Sequence, residues 1–304
     1  MATSNKRSLV TIASTTYNME DYIADAIDSW LAQKTSFAFD ILISDDGSTD
    51  RTCDIIREYM QKHSNIKLIS SDHIGKMPNF IRSLQESKGK YISLCDGDDY
   101  WIDPLKLQKQ FDFMEEHPEF SECFTNSFVL NTLNGERIIA KTQIWDVAST
   151  EGLLKHRDDD NIQMSPGHTS TFFFRNQFIK KYPKWMYGDV MTDFPLYMLM
   201  SKYGQAKFIN EVTSVYRHRP DGVSSANYSF IKASKRRIFV YKHINRDFNY
   251  RFYSIINPII ADYYFEMGKR QYKLGNRVSG AISIAHALVF KPSIIVKVIK
   301  SIKS

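Results

Sequence analysis

Short apolar runs alternate with longer amphipathic stretches through the first third of the chain. The runs are rich in β-branched residues and predict four buried strands, at residues 9–14, 39–44, 66–69 and 91–95. Between the strands, apolar residues recur at helical spacing and predict helices at residues 18–33, around 55–60 and after Gly75. Asn18 is the expected N-cap of the first helix. Strands that alternate with helices are typical of a parallel sheet covered by helices on both faces.

The rest of the chain has a less regular pattern. Further strands are predicted at residues 122–132, 137–142, 169–174 and 211–217. Asn134-Gly135 is a hairpin turn signal between the first two of these strands, and a helix is predicted at 194–203. The end of the chain has a helical pattern, with predicted breaks near Pro258, Gly275 and Pro292. Because no repeat or linker interrupts the chain, we expect an α/β domain at 1–226 and a helical extension at 227–304.

The composition allows a full hydrophobic core but divides the charge unevenly. The chain has 304 residues, of which 43% are hydrophobic, and this is enough for a large α/β domain with an appendage. The net charge is +6, but residues 229–304 contain 15 Lys and Arg against 3 Asp and Glu, a net charge of +12. The preceding 228 residues contain 25 basic and 31 acidic side chains, a net charge of −6. We therefore expect the basic tail to meet an anionic partner.

Targeting signals and cysteine spacing favour a cytoplasmic protein. Residues 1–8 are polar and lack the apolar core of a signal peptide. No run of about 18 apolar residues occurs, so no helix is expected to span a bilayer. The cysteines Cys53, Cys95 and Cys123 are scattered without metal-ligand spacing, which fits reduced thiols.

Two acidic clusters directly follow predicted strands. Asp45 to Asp50 (DDGSTD) follows the second strand, and Asp96 to Asp99 (DGDD) follows the fourth. In open parallel sheets, ligands bind beyond the carboxyl ends of the strands. Asp96 and Asp98, two positions apart on a turn, suit a hard divalent cation such as Mg²⁺. Phosphate oxygens would complete the ligand shell of this cation. The clusters therefore indicate a nucleotide and metal site.

Turn chemistry offers a structural alternative for both clusters. Gly47 supplies a turn, and one of residues 48–50 caps the next helix. Asp45 and Asp46 have no such explanation, and two adjacent carboxylates at a strand end suit hydrogen bonds to a base or a ribose. Two acidic turns on alternate strands of one sheet are also harder to explain by turn chemistry than a single one.

The motifs resemble the nucleotide-binding half of family 2 glycosyltransferases. The resemblance rests on the segments 15–18 (TTYN), 45–50 and 95–101 (CDGDDYW) with Pro104. It is strong over about residues 9–118 and continues more weakly through 187–188, 192–196 and 216–218. It implies the GT-A fold, a Rossmann-type mostly parallel sheet flanked by helices, and transfer with inversion. The implied nucleotide-binding half is about 9–118, and the acceptor half about 119–226.

The resemblance also implies how the nucleotide is held. Thr15 and Tyr17 would line the base pocket, and Asp46, beside Asp45, would hydrogen-bond the uracil-like edge. Thr15 is a departure from the family, in which a proline often follows the first strand. The donor implied is a nucleotide sugar, with UDP as the expected nucleotide.

The second acidic cluster is implied to hold the ribose and the metal. Asp96 would contact the ribose, and Asp98 would bind the divalent cation, Mn²⁺ or Mg²⁺. Lys76 would touch a phosphate. The role of Asp99 is left open.

The catalytic base is implied to lie downstream, at the start of a helix. Inversion needs a group that takes the proton from the attacking hydroxyl. Asp193 matches this position best, and Asp189 is the second candidate; a helix cap is the structural alternative for both. The basic segment Arg217, His218 and Arg219 is expected to be a loop that closes over the diphosphate as a lid.

The last segment, residues 292–304, has the pattern of a basic amphipathic helix. Its apolar residues share one face, and Lys297, Lys300 and Lys303 share the other. Such a helix lies at an anionic membrane surface or packs its apolar face on the body of the protein, and both alternatives stay open.

The sequence therefore predicts an inverting, metal-dependent transferase of single sugars. The expected acceptor is a glycan or a lipid-linked glycan in bacterial surface polysaccharide, lipopolysaccharide or capsule assembly. The enzyme would be cytoplasmic or peripheral on the inner face of the membrane, with no nucleic acid partner. Two alternatives are a nucleotidyltransferase with a metal-binding carboxylate site and an inactive membrane-associated scaffold.

Overall fold

The computed structural model describes residues 8–140, 146–155, 167–177, 181–188, 193–220, 222 and 230–296. The chain divides into two compact units. Residues 1–188 and 192–222 form the first unit, and residues 189–191 and 223–304 form the second. The predicted domain boundary at residue 226 lies outside the described residues.

A mixed sheet forms the centre of the first unit. Its described strands are β1 (Val10–Thr16), β2 (Phe39–Asp45), β3 (Ile66–Ser70), β4 (Tyr91–Leu94), β5 (Tyr100–Trp101), β6 (Phe120–Asn131), β7 (Arg137–Ile139), β8 (Val147–Ala148), β9 (Phe173–Arg175) and β10 (Gln205–His218). The order β3-β2-β1-β4 is parallel throughout. β9 lies antiparallel between β4 and β6, and β6 pairs in parallel with β10. The predicted α/β fold is confirmed.

Helices pack against this sheet through the faces that the sequence pattern predicts. The described helices of the unit are α1 (Ile23–Leu31), α2 (Thr52–Lys62), α3 (Lys76–Glu86), α4 (Lys106–Glu116), α5 (Thr150–Lys155) and α6 (Phe194–Met200). Ile27 and Trp30 of α1 are fully buried and belong to one core with Ile12 of β1 and Ile41 of β2. Burial of each such side chain contributes about 1.5–3 kcal/mol relative to exposure.

The first helix begins later than predicted. Asn18 has a left-handed φ of 53°, so it does not start a helix, and α1 begins at Ile23. The Asn18 side chain instead accepts a hydrogen bond from the backbone N–H of Thr49 at 2.8 Å. The strand predicted at 169–174 is also shorter, because Thr169–Thr171 forms a 3₁₀ turn before β9.

A buried carboxylate in β6 provides a test of the core. Glu122 is fully buried, and its carboxylate oxygens have no hydrogen-bond partner among the described residues. Burial raises the pKa of Glu122 well above its usual value. The folded chain therefore binds this proton more tightly than the unfolded chain, and its contribution to stability falls as pH rises from the unfolded pKa to the folded pKa.

We expect Glu122→Met to stabilise the fold by about 1–3 kcal/mol near neutral pH, because the unpaired carboxylate is replaced by an apolar side chain of similar length. The advantage should shrink below the unfolded pKa of glutamate, where the carboxyl group is protonated in both states. Urea unfolding at several pH values measures it. A variant less stable than the wild type at neutral pH would contradict the expectation, and Glu122→Gln is the isosteric control.

The second unit contains three described helices, α7 (Phe230–Asp247), α8 (Tyr253–Lys273) and α9 (Arg277–Phe290). The predicted break at Pro258 is wrong, since this proline lies inside α8. The chain turns earlier, at Asn249 and Tyr250, whose φ angles of 51° and 59° are left-handed and end α7. The predicted break at Gly275 is confirmed, with a φ of 80°. Across the described helices, none is both long and apolar enough to cross a bilayer.

Candidate active site

The two acidic turns lie side by side at the carboxyl edge of the sheet, because β1 pairs in parallel with β2 on one side and with β4 on the other. The backbone N–H of Asp46 donates to the Thr16 carbonyl at 3.0 Å. Toward β4, the Gly97 N–H donates to the Thr15 carbonyl at 3.1 Å, and the Thr15 hydroxyl donates to Asp96 Oδ1 at 3.0 Å. The end of β1 is thus the common anchor of both turns.

Asp45 holds the first turn together. Its carboxylate is fully buried and accepts hydrogen bonds from the backbone N–H groups of Gly47 at 3.1 Å and Ser48 at 2.9 Å. The hydroxyls of Ser48 and Ser70 also donate to it. The argument that turn chemistry does not explain Asp45 is therefore wrong. With four donors on a buried carboxylate, Asp45 shapes the loop rather than facing a ligand.

Asp46 connects the first turn to the loop that precedes α3. Its Oδ1 accepts from the N–H groups of Ile74 at 2.8 Å and Gly75 at 3.1 Å, and its Oδ2 lies 3.2 Å from His73 Nδ1. The imidazole of His73 lies 5.0 Å from the ring of Tyr17, which is 43% exposed. The side chains of Tyr17, His73 and Asp46 therefore lie close to one another. His73 was not predicted, because no spacing in the sequence connects it to either acidic turn.

Asp96 is a carboxyl group whose surroundings change its pKa. The pKa of Asp96 is raised to about 6, mainly by burial and also by the charges of Asp98 and Asp193, while Lys76 and the hydrogen bond from the Thr15 hydroxyl lower it. Lys76 is the first residue of α3 and is exposed. Site residues predicted in three separate segments therefore change the pKa of one carboxyl group, that of Asp96.

The two following carboxylates have different surroundings. Asp98 Oδ2 lies 3.3 Å from Arg219 Nε, and the Asp98 side chain is 19% exposed. Asp99 is buried and accepts the backbone N–H of Arg217 at 2.9 Å. Burial and the neighbouring Asp98 raise the pKa of Asp99 well above its usual value. Asp99 thus fixes the end of β10 to the acidic turn, and Asp98 is the more accessible of the two.

Two of the three predicted lid residues are part of the sheet. Arg217 and His218 end β10, so the prediction that they lie in a loop is wrong. The Arg217 guanidinium donates to the Asp98 carbonyl at 2.8 Å and to Asp25 Oδ2 at 2.6 Å, and these bonds hold it in place. Arg219, directly after the strand, is the residue whose guanidinium meets the Asp98 carboxylate.

Asp193 is a helix cap and a neighbour of the acidic turn at the same time. Its Oδ1 accepts the backbone N–H of Phe194 at 2.7 Å, which caps α6. Its Oδ2 accepts the Thr169 hydroxyl at 3.2 Å. Its charge raises the pKa of Asp96, so the carboxylate lies within electrostatic reach of the second turn. The second candidate, Asp189, lies outside the described residues.

The donor chemistry of this edge fits a hard divalent cation. Asp96, Asp98 and Asp193 offer only carboxylate oxygens, and the pKa of Asp96 is raised mainly by burial, with smaller contributions from the charges of Asp98 and Asp193. Within the described ranges, no three His, Cys, Asp or Glu side chains converge into a complete metal site. Mg²⁺ commonly binds through one or two carboxylates and takes phosphate oxygens and water as its other ligands.

Comparison with known proteins agrees with this geometry. Residues 11–180 match the family described as Glycosyl transferase family 2. The chain belongs to this family. The match covers both acidic turns and β9, whereas Asp193, Arg217 and Arg219 lie beyond it.

The relatives of this chain include short matches of higher identity and longer matches of lower identity. An uncharacterised protein of Mycobacterium tuberculosis is 43% identical over 117 residues, which are 38% of this chain and 34% of that protein. The match therefore spans about a third of that relative's length. The putative teichuronic acid biosynthesis glycosyltransferase TuaG of Bacillus subtilis is 26% identical over 244 residues, 80% of this chain and 90% of that protein.

Solved structures share the fold of this chain. TarS of S. aureus in complex with UDP-GlcNAc has a TM-score of 0.64 at 18% identity, covering 92% of this chain and 79% of TarS. The mannosyltransferase PcManGT of Pyrobaculum calidifontis, in complex with GDP-Man and Mn²⁺, has a TM-score of 0.57 at 15% identity, covering 94% and 76%. These similarities confirm the predicted GT-A-like fold.

Proposed function

We propose that the chain is an inverting, metal-dependent glycosyltransferase that moves a sugar from a nucleoside diphosphate donor, a UDP-sugar, to an acceptor hydroxyl. The observation that carries the proposal is that Asp98, Asp193 and Lys76 all lie within electrostatic reach of Asp96, at the carboxyl ends of β1 and β4. The UDP-GlcNAc complex of TarS, a structure of the same fold, supports the choice of donor.

The nucleotide would lie across the end of β1. Tyr17 and Asp46 would contact the base, and Thr15 would line its pocket. His73 would lie beside the base, since the rings of Tyr17 and His73 are adjacent. Asp96 would accept hydrogen bonds from the ribose hydroxyls. Asp45 is left out of this contact because both of its carboxylate oxygens accept hydrogen bonds from its own turn or from Ser70. Asp46 is also buried, but among the described residues no backbone N–H donates to its Oδ2.

The diphosphate would lie between Lys76 and the second acidic turn. Asp98 would hold a divalent cation, Mn²⁺ or Mg²⁺, which offsets the charge that develops on a departing diphosphate. The Mn²⁺ in the PcManGT complex supports this choice of ion. Lys76, at the N-terminus of α3, adds a positive charge on the same side, where the helix dipole also favours an anion. Arg219 would contact a phosphate once its guanidinium is separated from Asp98. For His218, only its position at the end of β10 supports such a contact.

The proton of the attacking hydroxyl would pass to Asp193. The acceptor oxygen forms a bond to the anomeric carbon as the bond from that carbon to the diphosphate oxygen breaks, and the configuration inverts. Asp193 Oδ2 receives the proton. The Thr169 hydroxyl helps to hold the Asp193 carboxylate in position for this transfer.

The acceptor is proposed to be a glycan or lipid-linked glycan of bacterial surface polysaccharide assembly. The similarity to TuaG supports this class, because that protein is assigned to teichuronic acid biosynthesis. The site would belong to a catalytic domain at 1–226. The basic extension at 227–304 would bring this domain to the inner face of the cytoplasmic membrane, and no nucleic acid is expected to bind.

The proposed reaction is tested by offering single nucleotide sugars with Mn²⁺, Mg²⁺ or EDTA. We expect metal-dependent slow hydrolysis of one UDP-sugar with release of UDP, and faster UDP release when an acceptor glycan is added. Release of sugar 1-phosphate with a uridylylated product would instead identify a nucleotidyltransferase. Failure to bind any nucleotide sugar in the presence of either metal would overturn the proposal in favour of a scaffold.

Thr169 is predicted to position the catalytic carboxylate. It begins a short 3₁₀ turn that is closed by a 2.9 Å hydrogen bond from the Thr171 N–H to the His168 carbonyl, so its hydroxyl is held toward Asp193. We expect Thr169→Val to lower kcat of transfer by about tenfold, the cost of one lost hydrogen bond to a charged group, and to leave the donor KM unchanged.

Thr169→Ser retains the hydroxyl and serves as the matched control. Its kcat should stay within about twofold of the wild type, because the hydrogen bond to the carboxylate can still form. Steady-state transfer assays with both variants measure the effect. An equal loss in the serine and valine variants would point to packing rather than to the hydroxyl.

A further inference from the structure

The outward face of α9 consists of apolar side chains. Val278 is 76% exposed, Ile282 53% and Val289 77%. At 100° per residue these three lie within about 40° of one another on the helix surface, with the small Ala285 between them. The opposite face, which includes Gly280 and Ala287, is buried on the side where α9 packs against α8. The exposed residues therefore form a continuous apolar stripe, not the edge of the packed face.

Another exposed apolar residue lies in the turn between α8 and α9. Leu274 in this turn is 67% exposed. We call Leu274, Val278, Ile282 and Val289 the apolar stripe.

Basic side chains border the apolar stripe, and acidic ones are absent from its sequence. Residues 267–304 contain 8 Lys and Arg and no Asp or Glu. Lys273 and Arg277 are exposed around the α8–α9 turn, as is Arg270, whose guanidinium lies 3.8 Å from the centre of the Phe230 ring. Exposed aliphatic side chains among positive charges are the composition of surfaces that lie in an anionic membrane interface.

We propose that the apolar stripe and its basic border form a membrane-contact surface, in which the aliphatic side chains enter the bilayer interface and Arg270, Lys273 and Arg277 contact lipid phosphates. A second copy of the chain fits less well, since a two-fold interface would set these positive charges against their own copies. Single-stranded nucleic acid also fits less well, because the stripe is mainly aliphatic and bases stack on aromatic rings.

This surface is separate from the tail helix predicted at residues 292–304. The lysines of that helix lie outside the described residues, whereas the stripe and its border lie within 270–289. The inference deepens the membrane location proposed for residues 227–304 and rests on it, but none of its residues belongs to the nucleotide-sugar site. Loss of membrane binding and loss of sugar transfer can therefore be measured separately.

The test is co-sedimentation of the full-length chain with vesicles of phosphatidylcholine containing 30% phosphatidylglycerol, and with phosphatidylcholine alone. The triple variant Val278→Gln, Ile282→Gln and Val289→Gln should lower the partition coefficient on anionic vesicles at least about tenfold, because three apolar side chains no longer leave water. A triple variant with Arg270, Lys273 and Arg277 changed to Gln should lose the preference for anionic vesicles.

The matched control changes equally exposed apolar residues of the first unit. Leu133, Ile138 and Ile139, on the β6–β7 hairpin, are 76%, 47% and 55% exposed. Their change to Gln should leave partitioning unaltered, while circular dichroism and donor hydrolysis confirm that all variants are folded. Wild-type partitioning by the α9 variant would overturn the inference. So would a dimer that the α9 variant dissociates without any change in vesicle binding, which would assign the stripe to a second copy.

Discussion

Replacing Asp193 with asparagine is expected to lower kcat of sugar transfer by about 10²–10⁴-fold, the usual contribution of a general base. The substitution separates the two roles of this residue. Asparagine is as good an N-cap as aspartate, so it can keep the hydrogen bond from Phe194 N–H that caps α6. Its amide oxygen accepts hydrogen bonds but is not basic enough to take the proton of an attacking hydroxyl.

Binding of the donor should be unchanged in Asp193→Asn, because Tyr17, Asp46 and Asp96 are untouched. Single-turnover transfer to an acceptor measures the chemical step, and calorimetric titration with the UDP-sugar measures binding. Asp189→Asn is the control at the second candidate position and should retain transfer. Near-normal turnover of Asp193→Asn, together with a large loss in Asp189→Asn, would move the role of base to Asp189.

The arrangement of β1 to β4 could be predicted because it depends on local patterns. Apolar strands of four to seven residues and helices with one buried face are visible in the sequence alone, and parallel pairing follows from their alternation. The same alternation places the turns after β2 and β4 at one edge of the sheet. Thr15 and Asp96, 81 residues apart, meet for this reason.

The roles within the first turn could not be predicted, because they depend on which donors surround each carboxylate. Asp45 and Asp46 are adjacent and chemically identical, yet one closes its own turn and the other bonds to the loop at 73–75. Asn18 is a similar case. Its side chain was expected to cap α1, but its left-handed backbone leaves it free to bond Thr49 across the site.

Contacts between distant segments were also invisible in the sequence. Asp99 meets the backbone of Arg217, 118 residues later, and the partner of Asp98 is Arg219 on the same late segment. No spacing rule connects the fourth strand of the sheet to the end of β10. The connection shows that the two adjacent carboxylates have different roles. Asp99 is structural, and Asp98 is accessible.

Replacing Asp98 with asparagine is expected to weaken Mn²⁺ binding and to lower sugar transfer by about a hundredfold or more, since metal stabilisation of a leaving group is worth several kcal/mol. The fold should be retained, because Asp98 is partly exposed and its backbone carbonyl still accepts from Arg217. Mn²⁺ binding followed by electron paramagnetic resonance, in the presence of UDP, gives a measurement that does not depend on turnover.

The ion pair between Asp98 and Arg219 gives this prediction its sharpest contrast. The Arg219 guanidinium lies 3.3 Å from the Asp98 carboxylate, so a cation bound by this carboxylate would compete with the guanidinium for it. Arg219→Gln should therefore bind Mn²⁺ more tightly than the wild type when no nucleotide is present, whereas Asp98→Asn binds it more weakly. Opposite shifts in the two variants support Asp98 as the metal ligand. Unchanged Mn²⁺ affinity in Asp98→Asn would remove Asp98 from that role, and a weaker affinity in Arg219→Gln would show that Arg219 supports the ion instead of competing with it.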